Sequence, residues 1–227
     1  VGGNFTSASG VSRGKLAAYN ANGTLSSSWL ANVSGKVRAL VVAGGKLIVG
    51  GQFTRINSTT LYSTGAVSLT NGSVIAPWAA QSATFPIRMQ DPTGGSGTSV
   101  TSLSTDGVNV YLGAFTYIAN IAHPGTFEGR AALRVSDGAL IWMNDCVGDT
   151  YGVFVSGQAV YSAGHAHSCA AIDGFPEATP RVSHHGLAET TYATGKNIAA
   201  NGGYSPNYTG QPSGSLSTSL PHSPARP

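Results

Sequence analysis

The densest group of metal-ligating side chains in this sequence is Asp145, Asp149, His165 and His167. Alternate residues of an extended strand share a face, so His165-Ala166-His167 aims both imidazoles the same way, a spacing suited to chelation. Carboxylates from Asp145 and Asp149 would complete a site for zinc or another divalent ion. The plainer alternative is structural: the histidines hydrogen-bond backbone at a strand end and the aspartates cap turns. A tight turn at Ser156-Gly157 sets Asp149 opposite Gly164 and Cys146 opposite His167. Cys169 is then two residues along, within reach of a Cys146–Cys169 disulfide where the strand ends loosen.

Other chemistries find less support. No Gly-x-Ser-x-Gly elbow leads into a helix, so a nucleophilic triad is not indicated. Glycoside cleavage needs two acids flanking a cleft. Asp106 and Asp137 belong to turns, which leaves Glu128, Asp145 and Asp149 for an extracellular carbohydrate-active hydrolase, the alternative function. The Gly-Gly phrases run into strand ends rather than helix N-termini, so they are not phosphate loops. Trp78, Trp142 and Tyr151 are the candidates for stacking on a sugar, with packing between repeated units as the competing role of the tryptophans. The balance leans away from an enzyme.

What positions these residues is a repeat. Val1-Gly-Gly-Asn-Phe-Thr6 returns as Val49-Gly-Gly-Gln-Phe-Thr54, with degenerate copies at Leu112-Gly-Ala-Phe-Thr116 and Ser162-Ala-Gly-His165. Trp29, Trp78 and Trp142 keep nearly the same beat, and Asn22-Gly23, Asn71-Gly72 and Asp137-Gly138 precede them in step. Each interval of about 50 residues holds two hairpins, such as Val37–Ala43, Gly44-Gly45 and Lys46–Gly50, whose glycines suit the positive φ of a two-residue loop. Four antiparallel strands per unit predict an all-β chain: a β-propeller of four-stranded blades over residues 1–181, a little over three blades, and so part of a larger propeller or, in the alternative, a four-bladed ring closed by strands from the tail. Residues 182–227, rich in Pro, Ser and Gly, are expected to be an extended or partly disordered tail. The segment Gln81–Thr98 reads as an insertion.

Composition narrows the partners. Charged residues are 9% of the 227, hydrophobic residues 41%, and the formal charge of +3 comes from scattered Lys and Arg. Nucleic-acid binders cluster their basic residues, so no nucleic acid is expected. No run of about 18 apolar residues exists to span a membrane. Two cysteines in a low-charge chain rich in Ser, Thr and Asn favour a secreted protein with one disulfide. The opening Val1-Gly-Gly-Asn-Phe5 looks like a mature or trimmed end. Asn-x-Ser/Thr sequons occur at Asn4, Asn22, Asn32, Asn57, Asn71 and Asn207, two of them within expected turns.

Val49–Thr54, Gly65–Leu69 and Trp142–Cys146, with Asn144–Thr150, Ala163–Cys169 and Gly174-Phe-Pro176, resemble the propeller repeats of secreted actinobacterial cell-surface proteins. The resemblance covers about residues 1–187, and the sequence departs from it after about Gly214. Such proteins carry a His where this chain has Val147. The resemblance implies a secreted, extracellular propeller, often beside carbohydrate-binding-type modules. The expected function is a binding or structural module for a glycan or a cell-surface protein partner. No cofactor beyond the candidate divalent metal is expected, and self-association through an open blade edge is foreseen.

Overall fold

The computed structural model describes residues 1–78, 98–115, 128–145, 148–157, 159–166 and 184–191. Among them are fourteen strands, every pairing antiparallel, and no helix. This follows from a chain of β-branched and small residues punctuated by Gly turns.

Three sheets share one plan. The first pairs β3 (Lys36–Ala43), β4 (Lys46–Gln52) and β7 (Thr64–Ser68), and a bridge from Val67 to Val74 starts a fourth strand. The second is a complete four-stranded meander: β8 (Ser99–Thr105), β9 (Asn109–Phe115), β10 (Gly129–Arg134) and β11 (Leu140–Asp145). The third pairs β12 (Thr150–Ser156), β13 (Ala159–Ala166) and β14 (His184–Thr191). Residues 1–26 are a reduced unit, with bridges Gly2–Leu16 and Tyr19–Leu25 in place of long strands.

The Gly44-Gly45 turn has φ of 54° and 71°, which matches the right-handed twist of the strands it joins. Small extra hairpins, β1–β2 (Ser7–Ala8, Val11–Ser12) and β5–β6 (Arg55–Ile56, Thr59–Thr60), sit between the second and third strands of the first two units. The sequence period does not announce them.

One boundary differs from the sequence expectation. The third sheet runs past residue 181, because β14 pairs with β13 over eight positions from Ala159–Thr191 to Ala166–His184. The expected tail therefore begins inside a sheet; its Gly-rich, Trp-free sequence hides the strand. Residues 192–227 lie outside the described residues, as do Cys146, Cys169 and His167. Among the described residues, three larger sheets follow the reduced first unit, beside the two small hairpins.

The sheets pack through a recurring contact. The first strand of each sheet lies on the first two strands of the sheet before it: β8 on β3 and β4, β12 on β8 and β9. A glycine near the end of each second strand makes room. A Cβ on Gly2 would meet Val37 Cγ1 at 2.4 Å, on Gly50 Val100 Cγ1 at 2.6 Å, and on Gly113 Thr150 Cγ2 at 2.8 Å. The repeated Gly phrase is therefore a packing device: its missing side chains let adjacent sheets approach. One apolar core runs from Leu16 through Val37, Ile48 and Val100 to Leu133. A smaller one, Tyr111, Ala132, Trp142 and Val160, joins the second and third sheets.

Candidate functional site

Every first strand carries a β-bulge at the same place. The register skips Arg38 in β3, Thr101 in β8 and Tyr151 in β12. A bulge re-aims the extra residue and leaves it outside the ladder. Arg38 uses this freedom to lie over the Phe115 ring, 5.2 Å from its centroid. Thr101 donates its hydroxyl to the carbonyls of Gly113 (2.9 Å) and Thr150 (2.5 Å), tying two sheets together. Tyr151 instead stands 57% exposed.

The third hairpin closes one residue later than expected, which shifts its register by two positions, and the bulge takes one of the two back. Ser156 pairs with Ala159 and Thr150 with Gly164, so Asp149 faces His165 rather than Gly164. The His165 amide donates to the Asp149 carbonyl at 3.0 Å. Above that bond three side chains meet. The Tyr151 hydroxyl donates to Asp149 Oδ2 at 2.7 Å, His165 Nδ1 lies 3.4 Å from the same hydroxyl, and Nδ1 and Oδ2 are 4.0 Å apart. The Tyr151 and His165 rings are 6.1 Å apart and tilted by 44°. The phenol is pushed up to about 12, first by burial, then by Asp149 as acceptor and by the charges of Asp149 and Glu128. Tyr151 therefore stays a neutral hydroxyl that donates to carboxylate at physiological pH.

Beneath this cluster the boundary between the second and third sheets is polar. Arg130 is buried and its guanidinium donates to Ser162 of β13. Burial lowers the Arg130 pKa to about 10. At the matching places of the preceding boundary stand Thr64, for Arg130, and Leu112, for Ser162. Among these equivalents only Arg130 carries a charge.

Of the predicted site residues, Asp149, His165 and Tyr151 come together. Asp145 ends β11 opposite Gly129; its side chain and His167 lie outside the described residues. Among the described residues no three His, Cys, Asp or Glu side chains group as metal ligands. Trp78 is 3% exposed, with its ring where a Cβ on Gly138 would meet Cδ2 at 2.5 Å, and Trp142 packs tilted on Tyr111 at 6.0 Å. Both rings are committed to packing, so stacking on a ligand falls to Tyr151. Trp142 is also two residues earlier, relative to Gly138, than Trp29 and Trp78 are relative to Gly23 and Gly72.

The cluster's partner Glu128, buried at 6% exposure, was legible as one of the few acids, but its influence on Tyr151 was not. The bulge at Arg38, Thr101 and Tyr151 was missed altogether; no residue type marks it in all three strands.

No helix among the described residues is long and apolar enough to cross a membrane. A search of curated proteins finds no match to this chain. Residues 1–28, the reduced unit with its β1–β2 hairpin, match a family described as a domain of unknown function (DUF5122) beta-propeller, which supports a β-propeller family for this chain.

Proposed function

We propose that the four units are β-propeller blades of four strands each, part of a larger ring, and that the chain is a secreted binding or structural module. On this reading one rim holds a glycan or a cell-surface protein. The observation that carries it is an asymmetry between the two rims. At one rim the strands turn tightly, at Gly44-Gly45, Asp106-Gly107, Asp137-Gly138 and Gly157. The other gathers the ends of β9 and β13 and the starts of β8, β10 and β12, and there Asp149, Tyr151 and His165 meet. Function concentrates in longer connections on a rigid scaffold.

An exposed aromatic ring beside a carboxylate and an imidazole supplies a stacking face and directional hydrogen bonds, the two requirements of sugar recognition. The hydrolase alternative has no comparable support, since Glu128 is buried and the Asp149 carboxylate already accepts from Tyr151. A disulfide between Cys146 and Cys169 would clamp the segments that carry the cluster, and belongs to this reading.

The test is binding to a panel of immobilised polysaccharides, comparing the wild type with Tyr151→Ala and Asp149→Asn. Truncating a central contact residue costs at least about 1–2 kcal/mol, so a tenfold loss is expected from Tyr151→Ala. Binding at wild-type strength by both folded variants would overturn the assignment of this rim.

A further inference from the structure

Charge divides the rim that carries Asp149, Tyr151 and His165. Residues 1–90 contain no Asp or Glu, while Arg13, Lys15, Lys36, Arg38, Lys46 and Arg55 all fall within residues 1–78. Two of these cations are committed elsewhere. Lys46 donates to the Val135 and Ser136 carbonyls beside the Gly44-Gly45 turn, and the buried Arg13 guanidinium donates to the Ser12 and Ser26 carbonyls. The other four meet where β3 starts. The Gly3 amide donates to the Lys15 carbonyl and the Val37 amide to the Gly3 carbonyl, each at 3.0 Å, which sets the Lys15 backbone beside Lys36 and Arg38. The Ser34 amide donates to the Arg55 carbonyl at 3.0 Å, and Lys36 pairs with Gln52. Arg38 and Arg55 are exposed, Lys15 and Lys36 half-buried. Among the described residues no carboxylate pairs with any of the four.

Lys15 stands there against its own backbone. Lys15, Ser63 and Gly129 occupy one place, just before the third-strand residue that pairs with the second-strand glycine: Leu16 with Gly2, Thr64 with Gly50, Arg130 with Gly113. All three have positive φ, at 69°, 61° and 150°. Glycine suits such a position, so the lysine keeps a cation on this rim at a steric cost that Gly129 avoids.

We propose that this arc of the rim, built by the first two units, binds an acidic polysaccharide whose repeated anions meet Lys15, Lys36, Arg38 and Arg55. The proposal rests on the reading of this rim as the binding rim and names the class of glycan it takes. Guanidinium groups match carboxylate geometry, and four unpaired cations on one arc suit a polymer with spaced negative charges. Between them stand the exposed side chains of Asn32, Ser34, Thr54 and Asn57, amides and hydroxyls that suit sugar hydroxyls. A single-stranded nucleic acid would need aromatic rings for its bases to stack on. Among the described residues of these two units the exposed aromatic ring is Tyr19, near the Asn22-Gly23 turn on the opposite rim.

Biolayer interferometry against polygalacturonate, with dextran as the neutral polymer and oligothymidylate as the nucleic acid, tests this. Polygalacturonate should bind and dextran should not. Affinity should fall at least about tenfold between about 0.01 M and about 0.15 M salt, as the screening length shortens from about 30 Å to about 8 Å. Lys36→Gln/Arg55→Gln should lose at least about tenfold, whereas Arg134→Gln, which removes an exposed charge from the opposite rim, should lose less than about twofold. Lys15→Gly separates binding from folding: it should weaken binding while its thermal midpoint is held or raised, since glycine relieves the left-handed backbone. Equal affinity of the wild type and the double variant, equal affinity for dextran, or tighter binding of oligothymidylate would each overturn the proposal, the last in favour of a nucleic acid. Tyr151→Ala, measured alongside, keeps the two readings apart. A loss confined to the cation variants would overturn the role of Tyr151 and leave this arc standing; a loss confined to Tyr151→Ala would overturn this arc alone.

Discussion

The backbone amide of Val153 in β12 donates to the Ser102 hydroxyl of β8 at 3.1 Å, across the boundary between two sheets. Two residues on, Val155 donates to Ser104 Oγ at 3.0 Å. The inner edge of β12 has no strand beside it in its own sheet, and these hydroxyls satisfy its amides in place of a ladder. Where β3 meets β8, the residues matching Ser102 and Ser104 are Ala39 and Val41, which cannot do this.

Removing the hydroxyls should therefore loosen the third sheet selectively. Ser102→Ala and Ser104→Ala each leave a partly buried amide without its acceptor, a cost of about 1–2 kcal/mol. Urea unfolding would show the loss, and hydrogen exchange at Val153 and Val155 should rise while β4 amides keep their protection. Unchanged exchange in both variants would count against the edge-capping role.

Packing at the glycine positions makes a contrasting pair. Gly50→Ala places a methyl 2.6 Å from Val100 Cγ1 and 3.2 Å from Leu103 Cδ1, forcing the sheets apart at a cost of about 1–3 kcal/mol. Gly152→Ala meets nothing within 4 Å and should be neutral or stabilise by about 0.4–1 kcal/mol through the unfolded chain. Thermal unfolding of the two variants checks both signs.

Acid stability should depend on Asp106. Burial alone would raise its pKa, but the amides of Asn109 and Val108, its own amide and the Tyr111 hydroxyl hold it below the usual carboxylate range. The Tyr111 bond is 2.7 Å and ends a fully buried side chain. A depressed folded pKa means stability that is present above the unfolded value and lost as pH falls through the folded one. Asp106→Asn should lower stability at neutral pH and flatten the decline below about pH 4, the ordinary carboxylate range. Denaturant titrations at stepped pH would show whether the slopes of the two proteins differ.

Tyr151 gives an alkaline signature. With its phenol pushed up to about 12, any stability it adds is present below the ordinary tyrosine range and is lost as pH rises through the folded value. The difference between wild-type and Tyr151→Phe absorbance at 295 nm should show one late-titrating phenol, and Asp149→Asn should bring it back toward about 10. A difference spectrum that titrates with the bulk tyrosines would sink the Asp149–Tyr151 pairing.

The β content, the hairpin turns and the period of about 50 residues are set by local chemistry: Gly at turn positions, β-branched runs, and phrases repeated in step. These act within a few residues and need no partner elsewhere, so residue types alone predict them. The role of the repeated glycines is different in kind, because Gly50 matters only once β8 lies against it. The bulges at Arg38, Thr101 and Tyr151 depend on pairing between strands, and the Tyr151 bulge together with a hairpin that closes one residue later than expected sets Asp149 beside His165 rather than Gly164. β14 was hidden for a similar reason: its sequence has no strong strand pattern, and its place comes from eight positions of pairing with β13. Trp78 and Trp142 look like ligand platforms by type, yet neighbouring sheets cover both. Burial is a property of packing between elements far apart in the chain, and only the assembled sheets decide that Tyr151, and neither tryptophan, faces outward.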